Sequence, residues 1–475
     1  MRLLLSEIAG MLGLTPVRRE GAVSRNPVSG YSIDSRTLAA GDLFFAVGGP
    51  RFDGHNFVEA ALKAGAVAAV VKRSWAAAHP AVDQVLAVDD PVAALGLLAR
   101  QSRRRWAKPV VAVTGSNGKT TTKDATAALL EASLRVAKTE GNLNNELGLP
   151  LSILRMDDAA EIAVLEMGMN HSGEIRRLAS IAEPTVGVVT NVSGAHLGNF
   201  SSVEEIALAK RELIESLPRE GTAVLNADDE RVAAFAAVHR GRSITFGIER
   251  ATIERPVDFT ASGIESRGAE GTSFDLAWKD ARGGARQIRL NSPLIGRHNV
   301  SNVMAAIATA TVFGVDPASL LSQVARLRPS ALRGEVQKLG DITLLKDCYN
   351  ANPSAMAAMI ETLDRTAGKR KIAVLGEMLE LGEASLSLHR EIGRRVAAIR
   401  PGWLIGVQGN AQAMVEEAVR SGLPAEQARF FPTAEEAGKF LAGELAGGDV
   451  VLLKASRGVA LEKALPAIEQ RALAC

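Results

Sequence analysis

Short apolar runs alternate with amphipathic segments through most of the chain, a pattern that predicts parallel sheets covered by helices. The middle of the sequence contains four strand-like runs, at 109–114, 162–167, 186–190 and 222–225. Helical segments lie between them, near 119–132, 172–182 and 203–216. Residues 257–290 break this rhythm and predict antiparallel strands joined by glycine turns, before a helix near 299–313.

Two further α/β regions flank this middle part. The first region predicts an amphipathic helix at the amino terminus, then strands at 42–47 and 66–71 with a helix at 56–64. After 327–329 a new series begins, with strands at 341–346, 371–376, 403–407 and 449–454 and helices at 353–364, 386–399, 410–420, 433–443 and 459–472. The predicted fold class is α/β with three domains, at 1–88, 89–330 and 331–475, and the linkers near 88 and 330 are candidate hinges.

The charge balance and the composition exclude several classes of protein. Lys and Arg total 55 against 53 Asp and Glu, so the net charge of +2 provides no basic field for nucleic acid. Aromatic residues make up 4% of the chain, which argues against base-stacking platforms. The two cysteines cannot form a disulfide framework, and no apolar stretch approaches the ~18 residues of a membrane span. We therefore expect a soluble cytoplasmic protein that neither inserts into membranes nor binds nucleic acid.

The clearest chemical signal follows the apolar run 110–113, where residues 114–122 have the sequence TGSNGKTTT. Backbone N–H groups at the start of a helix favour phosphate oxygens, Lys119 can reach the β- and γ-phosphates of ATP, and the Thr120 hydroxyl can hold Mg²⁺. The full P-loop pattern has another glycine where Val113 stands, so a glycine-rich turn without function is the alternative. The predicted phosphate-binding residues are Gly115, Ser116, Asn117, Gly118, Lys119, Thr120 and Thr121.

Glu166 and His196 follow two other strands at the same predicted sheet edge, where doubly wound sheets bind their ligands. A carboxylate opposite a phosphate loop can hold the metal that bridges ATP phosphates, although a structural acid could also stand there. Mg²⁺ prefers oxygen ligands, so His196 alone would be a packing histidine, but its place beside Glu166 favours a ligand. Lys210, in the helix IALAKRELIESL, has the pattern of a solvated helical lysine.

Three asparagines, Asn142, Asn144 and Asn145, stand between two predicted elements in GNLNNELGLP. Amide side chains both donate and accept hydrogen bonds, so this cluster suits a polar substrate. An Asx-rich turn that caps the next helix explains the same residues. Both interpretations stay open from the residues alone.

Polar residues also mark the last domain. Asp347 follows a predicted strand, where an aspartate can accept ribose hydroxyls, and Arg333 near the second boundary can reach phosphate. Lys454, with Ser456 and Arg457 after the last strand, can bind a carboxylate, since arginine offers a bidentate fork. Each of these signals is weak by itself.

Together these motifs resemble those of the Mur ligases, ATP-dependent enzymes that form amide bonds in peptidoglycan precursors. The resemblance covers nearly the whole chain, through SIDSR, DLFFAVGGPRFDGHNF, TGSNGKTTTKD, GNLNNELGLP, VLEMGMNHSGEI, NVSGAHL, AKRELI, GRHNVSNVMAA, DCYNANPSAM, GEMLELGEASLSLH and LLKASRG. The shortened phosphate loop is normal in this family, so Val113 no longer argues against it. The resemblance implies a UDP-binding N-terminal domain, a central P-loop ATPase domain with an antiparallel extension, and a Rossmann-like C-terminal domain.

The resemblance also implies site residues that spacing alone does not give. Lys119, Lys210 and His196 would be catalytic, and Lys210 would react with CO₂ to form a carbamate. Two Mg²⁺ ions would be held by Thr120, Glu166, His196 and carbamylated Lys210. ATP would also contact Asn299, Asn302, Arg333 and Asp347. The substrates would contact Ser35, Arg36, Asp53, Gly54, His55, Asn142, Asn144, Asn145, Asn350, Asn352, Lys454, Ser456 and Arg457.

Within the family, DCYNANPSAM and KASR favour the member that joins D-alanyl-D-alanine to UDP-N-acetylmuramoyl-tripeptide through an acyl phosphate. Another Mur ligase or a folylpolyglutamate synthase is the nearest alternative. A P-loop kinase, a nucleotide-gated switch protein and a UDP-sugar-binding module are alternatives from other classes. We expect a monomer that uses ATP and Mg²⁺.

Overall fold

Three β-sheets, which follow one another along the chain, organise the molecule. The computed structural model describes residues 1–14, 27–49, 52–194, 198–248, 257–280 and 282–472. Each sheet is mostly parallel and carries helices, which confirms the predicted α/β class with three domains. Within those described ranges, no helix has both the length and the hydropathy needed to cross a bilayer.

The first sheet has four parallel strands in the order β1-β2-β3-β4. Its strands are β1 (Gly30–Ser32), β2 (Asp42–Phe45), β3 (Ala68–Lys72) and β4 (Val85–Val88). The helices of this region are α1 (Leu5–Met11), α2 (Val58–Lys63), α3 (Arg73–Ala78) and α4 (Pro91–Trp106). Helix α4 leads into the second sheet; Asp90 caps its start by accepting the Val92 N–H, and proline stands at its first position.

The second sheet has nine strands in the order β13-β12-β11-β10-β9-β8-β5-β7-β6. They are β5 (Val110–Thr114), β6 (Val136–Lys138), β7 (Ile162–Glu166), β8 (Val186–Val189), β9 (Thr222–Asn226), β10 (Arg242–Ile248), β11 (Phe259–Ser266), β12 (Thr272–Lys279) and β13 (Ala285–Ser292). The helices are α5 (Lys119–Leu130), α6 (Gly148–Arg155), α7 (Glu174–Ala182), α8 (Val203–Glu215), α9 (Glu230–Ala234), α10 (Arg297–Val312) and α11 (Leu321–Val324). Strand β12 pairs antiparallel with β11 and β13, as predicted for 257–290, and the other pairs are parallel.

The third sheet has six strands in the order β14-β15-β19-β16-β17-β18. They are β14 (Glu335–Leu339), β15 (Ile342–Asp347), β16 (Arg370–Gly376), β17 (Trp403–Val407), β18 (Ala428–Phe431) and β19 (Asp449–Lys454). Its helices are α12 (Pro353–Arg365), α13 (Ser385–Ala398), α14 (Ala411–Arg420), α15 (Ala434–Glu444) and α16 (Leu465–Ala472). Only the edge strand β14 runs antiparallel to its neighbour among these pairs.

The structure differs from the sequence prediction in the start of one helix and in several strands. The helix predicted at 459–472 begins only at Leu465, because Ala460 has a φ of 52° and separates two short 3-10 turns that precede the helix. The segment 85–91, interpreted from the sequence as a domain boundary, begins with β4, a strand that the pattern did not predict. The pattern also missed β1, β6, β10, β14 and β18, and all of these except β10 lie at sheet edges, where one side faces solvent.

The first sheet and the central region share a hydrophobic core. Phe45 of β2, Leu95 of α4 and Leu149 of α6 belong to one buried cluster. Arg155, at the end of α6, donates from Nη2 to the Tyr31 carbonyl at 2.8 Å. Because apolar side chains of both regions fill this space, the first sheet is fixed to the central one.

Candidate functional site

The loop after β5 brings its backbone unusually close to neighbouring elements, and two glycines make this possible. Gly115 has a φ of 151°, and a Cβ there would stand 1.9 Å from Thr190 Oγ1. Gly118 has a φ of 79°, and a Cβ there would stand 2.1 Å from Asn302 Oδ1. Any larger residue would be strained or would clash at either position. The loop opens directly into α5, so backbone N–H groups and the helix N-terminus are available to an anion.

Lys119 is the first residue of α5, and its side chain folds back over the loop. Its Nζ donates to the Gly115 carbonyl at 2.9 Å and to the Ser116 carbonyl at 3.3 Å. Burial lowers the pKa of Lys119, with the charge of Glu166 acting in the opposite direction and that of Arg333 adding to the effect. The amine therefore lies directly over the backbone of the loop.

Glu166, the last residue of β7, is 2% exposed and lies against the phosphate loop. Thr120 Oγ1 donates to Glu166 Oε2 at 2.8 Å, and Asn144 Nδ2 donates to Oε1 at 2.7 Å. A buried carboxylate beside a hydroxyl supplies hard oxygen donors, which suit Mg²⁺ completed by phosphate and water. In the described part of the chain, no three His, Cys, Asp or Glu side chains gather as a metal site, so these oxygens form the candidate site.

Lys210 corrects an expectation from the sequence pattern, because it is not a solvated helical lysine. It lies in α8, is 2% exposed, and lines the same cavity as Lys119. Burial lowers the pKa of Lys210 well below its ordinary value, and the charge of Lys119 lowers it further. Across the described ranges, no carboxylate forms an ion pair with its Nζ. Such an amine loses its proton more readily than an exposed lysine does, which favours its nucleophilic form.

The first two turns of α10 place two buried amides against the phosphate loop. Asn302 Nδ2 donates to Asn299 Oδ1 at 2.8 Å, and Asn299 Nδ2 donates to the Ile295 carbonyl at 2.8 Å. Thr122 of α5 donates to Asn302 Oδ1 at 3.3 Å. These bonds fix both amides in orientation at the wall of the cavity.

The third sheet supplies the opposite wall. Asp347 and Lys454 end the adjacent strands β15 and β19 and are paired in register. Lys454 Nζ donates to Asp347 Oδ2 at 2.5 Å and to the Asn350 carbonyl at 3.1 Å, and Lys454 is 1% exposed. Lys454, which the sequence predicted as a carboxylate-binding residue, therefore neutralises the aspartate beside it.

Arg333 reaches the cavity from the segment between the second and third sheets. Its guanidinium lies 3.9 Å from the centroid of the Tyr349 ring, and that of Arg457 lies 5.8 Å from the same centroid. Stacking on an aromatic face orients a planar guanidinium while leaving its N–H groups free to bind an anion. Tyr349 therefore holds Arg333 toward the cavity.

The three asparagines Asn142, Asn144 and Asn145 were interpreted either as a polar substrate site or as a turn that caps the next helix, and the structure shows features of both. Asn144 faces Glu166, as described, whereas Asn145 Oδ1 accepts the N–H groups of Leu147 at 3.2 Å and Gly148 at 2.9 Å at the start of α6. Asn145 thus forms an Asx turn, and still lines the cavity together with Asn142 and Asn144.

Ser456 and Arg457 lie beside the cavity and are not part of its lining. Ser456 Oγ donates to the Ala351 carbonyl at 3.2 Å and accepts the Leu379 N–H at 2.9 Å. Arg457 pairs with Glu462 at 2.5 Å. Among the substrate residues predicted in the third domain, Asn350, Asn352 and Lys454 line the cavity.

The residues predicted to contact the UDP-sugar lie in the first region, outside the cavity lining. The Asp53 carboxylate accepts the His55 N–H at 3.0 Å and contacts its Nδ1 at 2.7 Å. The Lys72 N–H donates to His55 Nε2 at 3.0 Å, so Nδ1 carries the proton and donates to Asp53. A Cβ at Gly54 would stand 2.7 Å from the Val47 nitrogen, which explains the glycine.

The other two residues predicted to contact the UDP-sugar, Ser35 and Arg36, lie in the turn after β1. Arg36 donates from Nε and Nη2 to the Asp34 carboxylate, at 2.9 Å and 2.7 Å. These hydrogen bonds lower the pKa of Asp34 to about 2. Ser35 stands between them and is half-buried, while the Arg36 side chain is 86% exposed and open to a ligand.

The cavity as a whole has a volume of about 300 Å³ and joins the second and third sheets. It contains every predicted phosphate-loop residue from Ser116 to Thr121, together with Glu166, Lys210, Asn299, Asn302, Arg333 and Asp347. His196 lies outside the described residues. Sequence reasoning missed further lining residues, although motifs quoted above contain them: Gly168, Met169, Asn170, Glu174, His298, Tyr349 and Ala355.

Three family models match successive parts of the chain. "Mur ligase family, catalytic domain" matches 27–103, "Mur ligase middle domain" matches 113–310, and "Mur ligase, glutamate ligase domain" matches 332–457. Each of the three matched ranges contains the strands of one sheet, except that the middle match begins within β5.

Similarity to individual proteins extends over nearly the full length. The UDP-N-acetylmuramoyl-tripeptide--D-alanyl-D-alanine ligase of Synechocystis sp. is 36% identical, over 91% of this chain and 90% of that protein. A crystal structure of MurF from Acinetobacter baumannii has a TM-score of 0.85 at 29% identity and covers 99% of both chains. MurF ligase from Thermotoga maritima, in complex with ADP, has a TM-score of 0.78 at 31% identity, over 94% of this chain and 98% of that one.

Proposed function

The chain belongs to the Mur ligase family, and from that premise we propose that it joins D-alanyl-D-alanine to UDP-N-acetylmuramoyl-tripeptide while ATP becomes ADP and phosphate. The product is the UDP-N-acetylmuramoyl-pentapeptide precursor of peptidoglycan. The observation that carries the proposal is one cavity lined by the phosphate loop, Glu166 and Lys210 from the central sheet and by Arg333 and Asp347 from the far side. An ATP-driven activation site built this way has places for a phosphate chain, a metal ion and a carboxylate.

Residues of the phosphate loop and of the opposite cavity wall would bind ATP. The loop N–H groups and Lys119 would hold the β- and γ-phosphates, and Arg333 would contact phosphate from the opposite wall. Asn299 and Asn302 would contact the adenine side, and Asp347 would accept the ribose hydroxyls. Fixed cations around the γ-phosphate stabilise the charge that spreads over it during transfer.

Thr120, Glu166, His196 and carbamylated Lys210 would hold two Mg²⁺ ions. When bound, Mg²⁺ supplies charge neutralisation at the transferring phosphoryl group. For the carbamate, the neutral Lys210 amine would attack the carbon of CO₂ and lose one proton, which converts a buried amine into an oxygen ligand. Its burial beside Lys119 supports this step, since a protonated lysine there would be unfavourable.

The proposed chemistry runs in two steps. The terminal carboxylate of the tripeptide attacks the γ-phosphorus, ADP leaves, and an acyl phosphate forms. The amine of D-alanyl-D-alanine then attacks the acyl carbon, and collapse of the tetrahedral intermediate expels phosphate and leaves the amide. Walls from two sheets around the cavity would exclude water, which otherwise hydrolyses an acyl phosphate.

The remaining predicted residues would place the substrates. Ser35, Arg36, Asp53, Gly54 and His55 would contact the UDP-sugar on the first sheet. The peptide substrates would contact Asn142, Asn144, Asn145, Asn350, Lys454, Ser456 and Arg457. We also propose domains at 1–88, 89–330 and 331–475, and a monomer that works in the cytoplasm, where its nucleotide substrates are.

The test is phosphate release from ATP by the purified chain with each combination of substrates. We expect release only when UDP-N-acetylmuramoyl-tripeptide and D-alanyl-D-alanine are both present, with stoichiometric amide product by mass spectrometry. Phosphate release with another amine in place of the dipeptide would assign a different member of the family. A phosphorylated, stable acceptor would instead indicate a kinase.

A further inference from the structure

A network of neutral side chains joins the phosphate loop to the third sheet. Asn352 Nδ2, at the start of α12, donates to Asn117 Oδ1 of the loop at 2.5 Å. Asn117 Nδ2 in turn lies 3.1 Å from Ser193 Oγ and 3.3 Å from Ser354 Oγ. The network therefore connects three segments that are 76 to 237 positions apart in the sequence.

The loop end of this network is held firmly by the central sheet. The Asn117 N–H donates to Asn191 Oδ1 at 2.9 Å, and its carbonyl accepts from Thr190 Oγ1 at 2.6 Å. The Ser116 N–H donates to the Asn191 carbonyl at 2.9 Å. Because the backbone of Asn117 is fixed by the segment after β8, its side chain is a rigid arm directed at the third sheet.

The other end of the network is tied to the start of α12. Asn352 is 6% exposed, and its Oδ1 accepts the Ala355 N–H at 3.0 Å and Ser354 Oγ at 2.9 Å. Its amide therefore has two separate functions, since the oxygen caps the helix and the nitrogen binds the phosphate loop. A residue that served only as a cap would need the oxygen alone, as Ser, Thr and Asp do.

The segment that Asn352 anchors carries the third sheet's contribution to the cavity. Asp347 lies five positions before Asn352, and Tyr349, which stacks on Arg333, lies between them. Lys454 binds both the Asp347 carboxylate and the Asn350 carbonyl, so these residues are tied together as one unit. The bond from Asn352 to Asn117 fixes the distance between this unit and the phosphate loop.

We propose that Asn352 is a positioning residue that couples the phosphate loop to the third sheet, acting through Asn117 and not through contact with a substrate. The proposal rests on the proposed function, because its readout is the ligation rate. When the bond forms, the groups facing ATP from the third sheet reach their working distance from the loop. When it is absent, both halves stay folded but the closed arrangement is populated less.

The test separates the two ends of the Asn352 amide. Asn352→Ser keeps an oxygen that can cap α12 but is too short to reach Asn117, whereas Asn352→Ala loses both. We expect kcat to fall about tenfold in both variants, as for loss of one buried hydrogen bond, with KM for the UDP-tripeptide unchanged. The melting temperature should fall by about 2–4 °C only in Asn352→Ala.

A matched control is Thr433→Ala, because Thr433 Oγ1 accepts the Glu436 N–H and caps α15 away from the cavity. The melting temperature of this variant should be lower than that of the wild type, and its kcat should be unchanged. A double-mutant cycle of Asn117→Ala with Asn352→Ser completes the test, since removing both ends of one bond should cost no more than removing either.

Wild-type kcat in Asn352→Ser, or additive losses in the cycle, would overturn the coupling. A rise in KM for D-alanyl-D-alanine with unchanged kcat would overturn it too, because that result assigns Asn352 to substrate contact. If the wild-type chain itself releases no phosphate with both substrates, the proposed function fails instead, and the two failures are thereby distinguished.

Discussion

The central sheet meets its two neighbours through interfaces of different kinds. Toward the first sheet, Phe45 and Leu149 belong to a single buried apolar cluster that includes both regions. Toward the third sheet, polar side chains bind one another, as in Asn352 to Asn117 at 2.5 Å and Ser330 to Asp124 at 2.5 Å. Ile295 adds an apolar contact to the core of the third sheet.

This difference teaches which part of the molecule can move. Burying apolar surface contributes about 25 cal/mol per Å², and separating such an interface exposes all of it at once. A hydrogen bond between polar groups contributes only about 0.5–1.5 kcal/mol, because water replaces the lost partner. We therefore expect the third sheet to separate from the central one more readily than the first sheet does, which makes the linker near 330 the better candidate hinge.

The largest expected effect comes from removing the cation of the phosphate loop. Lys119→Ala should reduce ligation by at least about 10²-fold, because charge on the transferring phosphoryl group loses its nearest fixed cation. Binding of the UDP-tripeptide, measured by calorimetry, should be largely unchanged, because the predicted UDP residues lie on the fixed side. Lys463→Ala, an exposed lysine paired with Glu435, is the control. Full turnover in Lys119→Ala would remove the phosphate loop from the mechanism.

A second large effect is expected from Lys210→Ala. The ligation rate should fall by about 10²-fold or more if the carbamate ligates metal. Short carboxylic acids such as formate or acetate should restore part of the rate, because they can supply the missing oxygens. Arg211→Ala, which removes the neighbouring ion pair with Glu215, is the control. Wild-type activity without any response to acids would dismiss the carbamate, and ¹³C NMR with labelled CO₂ provides an independent readout.

The comparison of the interfaces is tested most directly by stability. Phe45→Ala should lower the free energy of unfolding by about 3–5 kcal/mol, since it removes a large buried side chain from the shared core. Ser330→Ala, which removes one hydrogen bond to Asp124, should cost about 0.5–1.5 kcal/mol. Denaturant titration followed by tryptophan fluorescence measures both. Equal losses would mean that the two interfaces do not differ as described.

The smallest effect concerns the orientation of Arg333. Tyr349→Ala should weaken ATP use through loss of stacking worth about 0.5–2 kcal/mol, while Tyr349→Phe should be close to wild type because the ring is kept. The measurement is kcat/KM for ATP. If Tyr349→Phe and Tyr349→Ala reduce kcat/KM equally, the contribution of Tyr349 comes from its hydroxyl group and not from the face of its ring.

The sequence predicted the strands of each sheet best where they are buried on both faces. Strands β5 and β7 are buried throughout, and both were found within about a residue or two of their bounds. Edge strands such as β14 and β18 mix polar and apolar positions, so their pattern is weaker. The late start of α16 could not be predicted, because the positive φ of Ala460 is one that alanine rarely adopts.

For the site, motifs predicted the phosphate loop and Glu166, but the periodicity interpretation missed Lys210. A signal was nevertheless present, because Lys210 follows Ile206 by four residues and precedes Leu213 by three. At helical spacing this places it on the buried face of α8, between two fully buried apolar residues. The pairing of Asp347 with Lys454 needed the register of β15 against β19, which no local pattern contains.

The network between Asn117, Asn352 and Ser354 consists entirely of amide and hydroxyl groups. Dissolved salt weakens interactions between exposed charges, with a screening length of about 10 Å at 0.1 M. It leaves hydrogen bonds between uncharged groups almost unaffected. Closure of the third sheet should therefore proceed equally well in dilute and concentrated electrolyte, even where the attraction of ATP phosphates to Lys119 and Arg333 weakens. Under the proposed coupling, the strength with which the molecule attracts its nucleotide is therefore independent of how firmly it encloses that nucleotide.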